Sequence, residues 1–125
     1  MLPPKFSRVL VVDDDLLVTE IAKERLERAG YNVATRESAL GISVLITTPE
    51  KPDVILLDLK MPGLSGVGLA RLEALQKTPI IFHSSAPQEE LDALSQQFGV
   101  LGGIQKTGNA VLFLTKFQSL LEKIR

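Results

Sequence analysis

Four apolar runs in this chain end in side chains that could do chemistry together. Arg8-Val-Leu-Val-Val-Asp13 continues into Asp14 and Asp15, and Asp53-Val-Ile-Leu-Leu-Asp58 closes on a further carboxylate. Pro79-Ile-Ile-Phe-His83 continues into Ser84 and Ser85, and the run from Val100 to Gln105 continues into Lys106. Carboxylates crowded at one point repel each other unless a cation sits among them. A hard divalent ion with oxygen ligands meets that need, and Mg²⁺ typically takes one or two carboxylates with waters and phosphate oxygens. A metal, a lysine and a hydroxyl around one remaining carboxylate suit a particular step. They would neutralise the oxygens of a phosphoryl group in flight while the carboxylate attacks it, giving an aspartyl phosphate.

That chemistry requires the four run ends to meet, so the elements that carry them matter. The first three runs are short, continuous and rich in β-branched residues, as strands buried on both faces should be, and the run from Val100 to Gln105 reads as a glycine-weakened strand. Between them the period changes. Val18, Ile21, Ala22, Arg25, Leu26 and Ala29 fall at helical spacing from Leu16 to Ala29, and Gly30 supplies the stop. Tyr31 to Thr35 reads as a second strand and Glu37 to Thr47 as a second helix. A third helix is expected from about Gly66 to Gln76. A fourth is opened by Pro87, with Leu91, Leu94 and Phe98 on one face. A final helix carries Ala110, Phe113, Leu114, Phe117, Leu121 and Ile124. Five βα units in series predict an α/β fold: a doubly wound five-stranded parallel sheet with helices on both faces. The strand order expected is 2-1-3-4-5, which puts the first and third strands side by side. Ligands bind such sheets beyond the carboxyl ends of the strands, where the order reverses, and there the acidic, hydroxyl and ammonium groups converge.

Composition bounds the alternatives. With 125 residues, 45% hydrophobic and 23% charged, the chain is expected to form one domain over residues 1–125. Fourteen basic against fifteen acidic side chains leave a net charge of −1, which gives no general pull towards nucleic acid or a membrane surface. The absence of cysteine excludes disulfides, thiolate catalysis and zinc-thiolate sites, and a single histidine excludes a multi-histidine metal centre. No apolar run approaches a membrane span, and MLPPKFSR lacks the apolar stretch of a secretory signal, so a cytoplasmic location is expected. Gly63-Leu-Ser-Gly66-Val-Gly68 is not a nucleotide loop: its spacing is not G-x-G-x-x-G, and it follows the third strand rather than the first.

VLVVDDD, the strand DVILLDLKMPG, the strand PIIFHSS and the lysine of GGIQK together resemble the receiver domain of two-component response regulators. The resemblance covers essentially the whole chain and implies a flavodoxin-like fold. It implies that Asp58 is the phosphoacceptor and that Asp13 and Asp14 hold Mg²⁺ with Asp58 and the backbone carbonyl of Lys60. It implies further that Ser84 and Lys106 contact the phosphoryl group. The donor would be a phosphohistidine on a sensor histidine kinase or a histidine phosphotransfer protein. The domain would catalyse only its own phosphorylation and dephosphorylation. Output would pass through the face made by the fourth helix, fifth strand and fifth helix, to a downstream effector or a second copy. Val111 and Leu112, outside the core stripe of the last helix, would contribute to that face.

Plainer roles compete at several positions. Asp13 and Asp14 could cap the following helix, although Asp15 is better placed to do so. The residues alone do not separate Ser84 from Ser85; the resemblance selects Ser84, and Ser85 is left to cap the next helix. Lys106 alone would be a solvated lysine, and the Lys60 side chain is expected to reach solvent. His83 is expected to be packed and hydrogen-bonded. Two departures from the family affect mechanism. Thr107 stands where proline usually follows the lysine, often after a cis bond, so the loop is expected to be trans or strained. Gly103 stands where an aromatic usually swings inward, so the coupled hydroxyl–aromatic switch cannot run in its familiar form. A receiver-like interaction module with an altered or lost phospho-switch is therefore an alternative. An aspartyl-nucleophile phosphatase is a weaker one, because Glu122 is the only acid after Lys106.

Overall fold

The computed structural model describes residues 8–38, 48–59 and 78–124. It contains β1 (Arg8–Val12), α1 (Leu16–Arg28), β2 (Asn32–Arg36), β3 (Val54–Leu57) and β4 (Ile80–Ser84). These are followed by α2 (Gln88–Phe98), β5 (Gly102–Gln105), α3 (Ala110–Leu121) and a 3₁₀ turn, Glu122–Ile124. The strands form one parallel sheet in the order β2-β1-β3-β4-β5, as expected. The helix expected after β2 lies outside the described residues from position 39, as do the helix expected after β3 and Lys60. The fourth and fifth helices of the sequence reading are α2 and α3.

Alternation along the strands sorts the core into two layers. Leu10, Val12, Ile55, Leu57, Ile80 and Phe82 face α2 and pack with Leu91. Val9, Val11, Val54, Leu56, Ile81 and Ile104 face the other way, towards α1 and α3, and meet Leu26, Phe113 and Phe117. Asp13, Asp58 and Lys106 continue the parity of this second set, two residues beyond Val11, Leu56 and Ile104. The pleat therefore sends all three towards the same side.

α1 begins where Asp15 caps it, accepting from the Leu17 and Val18 amides, and stops at Gly30, whose φ of 98° few other residues adopt. Its buried stripe is Thr19, Ala22 and Leu26 rather than the one expected through Ile21, which is 39% exposed. Thr19 can be buried because its hydroxyl donates to the Leu16 carbonyl. β5 starts at Gly102, later than expected, because the Val100 amide is spent closing α2 on the Ser95 carbonyl. Ser85 is exposed and does not cap α2; Pro87 occupies the N-cap without a side-chain bond.

Gly103 is where α2 meets β5 most closely. A Cβ built there would lie 2.8 Å from Leu91 Cβ, an atom fixed to the helix backbone, whereas one at Gly108 would meet nothing within 4 Å. The absence of the aromatic is thus a packing requirement of this chain. Gly103→Ala is expected to cost about 1–3 kcal/mol in urea unfolding, and Gly108→Ala to cost nothing. Equal stability of the two variants would contradict this packing account.

Candidate functional site

Three backbone hydrogen bonds extend the sheet just far enough to place the polar residues. The Asp13 amide donates to the Arg36 carbonyl at 3.1 Å, that of Asp58 to Val12 at 2.9 Å, and that of Lys106 to Ser84 at 2.7 Å. Asp13 and Asp58 are consequently held beside each other at the ends of adjacent strands, only 1% and 5% exposed. Asp14 stands beside them on the solvent side. Ligand oxygens of Asp13, Asp14 and Asp58 lie within 4.8 Å of one another. Asp15 caps α1, the role its position favoured, and Asp13, Asp14 and Asp58 are the carboxylates that converge.

Lys106 faces this cluster. Its Nζ lies 2.9 Å from Asp13 Oδ2 and 3.6 Å from Asp58 Oδ1. Partial burial works against the ammonium, but the Asp13 and Asp58 carboxylates outweigh it and hold the lysine above its ordinary pKa. Asp13 Oδ1 accepts from the Asp15 amide at 2.9 Å. Asp13 Oδ2 is buried, and apart from the ammonium no donor among the described residues reaches it. A buried carboxylate oxygen left in that state has unused capacity for a cation. Together with the all-oxygen donor set, it makes this a site that could hold a hard divalent metal.

Ser84 ends β4 and is buried, while Ser85 is exposed, which separates the two serines. The Ser84 hydroxyl accepts from the Ala86 amide at 3.2 Å, and its carbonyl holds Lys106. No cis peptide bond occurs among the described residues, so the Lys106–Thr107 bond is trans. His83 is packed as expected, and its ring meets Phe113 edge-on at 5.5 Å. Burial, with the nearby charges of Lys106 and Arg25, lowers its pKa to about 3.

Two residues with roles at this end of the sheet escaped the sequence reading. Arg25 donates to the Thr107 carbonyl at 2.9 Å, and a cation inside the apolar stripe of α1 was the available signal. Gln88 bonds the outer edge of β5: Nε2 donates to the Gly103 carbonyl at 2.7 Å, and Oε1 accepts from the Gln105 amide at 3.1 Å. Oε1 also accepts from Lys116 Nζ at 3.1 Å. No sequence pattern marks a glutamine for that task.

With this geometry in place, comparison with known proteins defines the class. The response regulator receiver domain signature matches residues 9–118, and the chain belongs to that family. Phosphoryl acceptance in two-component signalling is the family's general role. The chain is similar to sporulation initiation phosphotransferase F of Bacillus subtilis, 33% identical over 99 residues, covering 76% of this chain and 77% of that protein. It is also similar to the transcriptional regulatory protein CpxR of Klebsiella pneumoniae, 27% identical over 118 residues, covering 94% of this chain and 50% of that protein. The chain therefore spans about half the length of that regulator, and 36% of the nisin biosynthesis regulatory protein NisR of Lactococcus lactis. A CheY-like receiver domain from Methanospirillum hungatei superposes with a TM-score of 0.77 at 26% identity, covering 95% of this chain and 96% of that one. Chemotaxis protein CheY4 of Vibrio cholerae shares the fold, with a TM-score of 0.77 at 24% identity over 92% of this chain and 98% of that one. No helix among the described residues is long and apolar enough to cross a membrane.

His83 gives the site region a pH signature. Between its ordinary pKa of 6.5 and its lowered value of about 3, the unfolded chain binds a proton that the folded chain excludes. Stability from this group is therefore complete above pH 6.5 and is lost as pH falls. From pH 7 to 5 the loss is expected to reach about 2 kcal/mol in urea unfolding, and His83→Leu should abolish that part of the slope. An identical slope in the variant would show that His83 is not held neutral.

Proposed function

We propose that this chain is a phosphorylation-dependent receiver that accepts a phosphoryl group on Asp58 from a phosphohistidine. The donor would be a sensor histidine kinase or a histidine phosphotransfer protein. The observation that carries this reading is the convergence of Asp13, Asp14 and Asp58 at the ends of β1 and β3, with the Lys106 ammonium reaching two of them. Asp58 is assigned as acceptor by the resemblance of DVILLDLKMPG to the receiver motif; it follows the central strand with Lys106 Nζ 3.6 Å from its Oδ1, and Asp13 and Asp14 follow the neighbouring strand. An Asp58 carboxylate oxygen forms the new P–O bond as the donor's P–N bond breaks, and the departing imidazole takes up a proton. Asp13, Asp14 and Asp58, with the Lys60 backbone carbonyl, are the proposed ligands of Mg²⁺. That ion would supply charge neutralisation at the phosphoryl oxygens. Lys106 would add a second positive charge, and Ser84 a hydroxyl donor once it turns from Ala86.

Incubation with Mg²⁺ and acetyl phosphate, read by intact mass, tests this reading. A labile gain of one phosphoryl group is expected in the wild type and none in Asp58→Asn. Lys106→Ala should slow labelling on the order of 100-fold, the usual cost of one electrostatic donor. No adduct at saturating donor would leave an interaction module instead, and turnover of phosphoesters would indicate a phosphatase.

The proposed output face is α2–β5–α3, where Val111 and Leu112 stand 75% and 43% exposed. Gln88 supplies what Gly103 cannot. The Ser84 hydroxyl fixes the Ala86 amide, and two residues later Gln88 fixes the β5 edge and Lys116 of α3. If Ser84 turns to a phosphoryl group, Ala86 loses its acceptor and the grip of Gln88 changes. The Gln105 amide reports this by hydrogen exchange. Its exchange should quicken on phosphorylation, and Gln88→Ala should quicken it without phosphorylation. Exchange unaltered by phosphorylation would sink this route of readout.

A further inference from the structure

The loop that carries Lys106 has few anchors. Thr107 and Gly108 border a cleft of about 330 Å³ between α1 and the start of α3, so one side of the loop is not packed against anything. Gly108 has open space around its Cβ position. The loop lacks the proline that would fix its backbone. Its local bonds are the Asn109 amide to Thr107 Oγ1 at 3.1 Å and the Lys106 amide to Ser84. These tie the loop to itself and to β4, but not across the cleft.

Arg25 spans that gap. It leaves α1, donates to the Thr107 carbonyl at 2.9 Å, and lies with its guanidinium carbon 5.5 Å from the centre of the Phe113 ring. The ring holds the guanidinium plane, and the plane holds the carbonyl next to Lys106. Arg25 and Lys106 line the same cleft. Repulsion between the two cations therefore favours the ammonium on the carboxylate side.

We propose that Arg25 is a positioning residue that fixes the Lys106 loop to α1 and so keeps the ammonium on Asp13 and Asp58. This rests on the reading of Lys106 as the group that neutralises the incoming phosphoryl. Arg25 touches none of the reacting atoms; it acts through the carbonyl of Thr107. In this chain a side chain from α1 replaces a rigid backbone in the loop. A displacement of about 1 Å in such a group can cost as much as 100-fold in rate.

The experiment compares Arg25→Gln and Arg25→Lys in the full chain, with and without Lys106→Ala. Labelling rates by acetyl phosphate and Mg²⁺ are normalised to the folded fraction. The second readout is the ¹H–¹⁵N correlation of the Lys106 ammonium group, identified by its loss in Lys106→Ala. Arg25→Gln is expected to slow labelling about 10- to 100-fold and to erase the ammonium signal. Arg25→Lys, which can donate to Thr107 but cannot stack as a plane, should recover part of both and serves if the glutamine variant does not fold. In the Lys106→Ala background Arg25→Gln should slow labelling no further, as two residues acting as one unit require. An equal slowing in both backgrounds would show that Arg25 does not act through Lys106 and would overturn the proposal, as would an undiminished ammonium signal. If the wild type takes up no phosphoryl group, the receiver reading fails, while the ammonium signal still decides the role of Arg25.

Discussion

Two nearly buried carboxylates held side by side are the constraint around which this end of the molecule is built. Asp13 and Asp58 terminate adjacent parallel strands whose register pairs Val12 with Leu57, and each is tethered by its own amide. Burying like charges together is unfavourable, and removing the partner of a buried charge typically costs about 3–5 kcal/mol. Lys106 provides the compensating charge. The ammonium therefore stabilises the resting site with the same charge that would later serve a phosphoryl group. A group with both duties must be held firmly yet remain able to shift by an ångström or so, which suits a lysine at the mouth of the site better than a buried one.

That requirement explains why α1 is tied to the site at both ends. Its first turn is set by Asp15, whose amide donates to Asp13 Oδ1 while its side chain caps the helix. Three turns later Arg25 reaches the Lys106 loop. The helix thus links the first acidic residue to the loop bearing the balancing cation. Its buried stripe anchors this link: Ala22 and Leu26 pack in the same layer as Phe113 and Phe117 of α3. Side-chain packing, rather than loop stiffness, sets the position of the charge.

The strand ends were legible in the sequence because buried parallel strands write themselves as continuous apolar runs and any polar residue at their ends is conspicuous. The sheet order followed from five alternating units, and with it the meeting of Asp13, Asp58 and Lys106. What stayed hidden depends on contacts across the fold. Ile21 fits a helical stripe by spacing yet lies on the open cleft beside Arg25, while Thr19, its hydroxyl bonded to the Leu16 carbonyl, is buried. Ser84 and Ser85 are equivalent in composition; the resemblance selects Ser84, and the end of β4 adds the physical difference by burying it and leaving Ser85 exposed. His83 packs its ring edge-on against Phe113 and borders the cleft beside Lys106, a placement that its position in an apolar run does not show. Arg25 was visible as an anomaly in an apolar stripe, although its target, a carbonyl 82 positions away, was not.

Gly103 shows how one local packing constraint changes the contacts along a strand edge. Leu91 packs so close to β5 that a Cβ at position 103 has no room, and an aromatic side chain has less still. The same proximity brings Gln88 against the strand edge, where its carboxamide bonds the Gly103 carbonyl and the Gln105 amide as a neighbouring strand would. A side-chain amide in this position covers an edge that would otherwise invite pairing with another chain. It is also easier to displace than a strand, since it is held by single bonds from one residue. Close packing of α2 on β5 thus removes the aromatic and supplies a substitute contact in the same step. The substitute sits two residues from the amide that the Ser84 hydroxyl holds, so in the proposed readout the acidic site would reach the α3 surface through backbone rather than through a swinging ring.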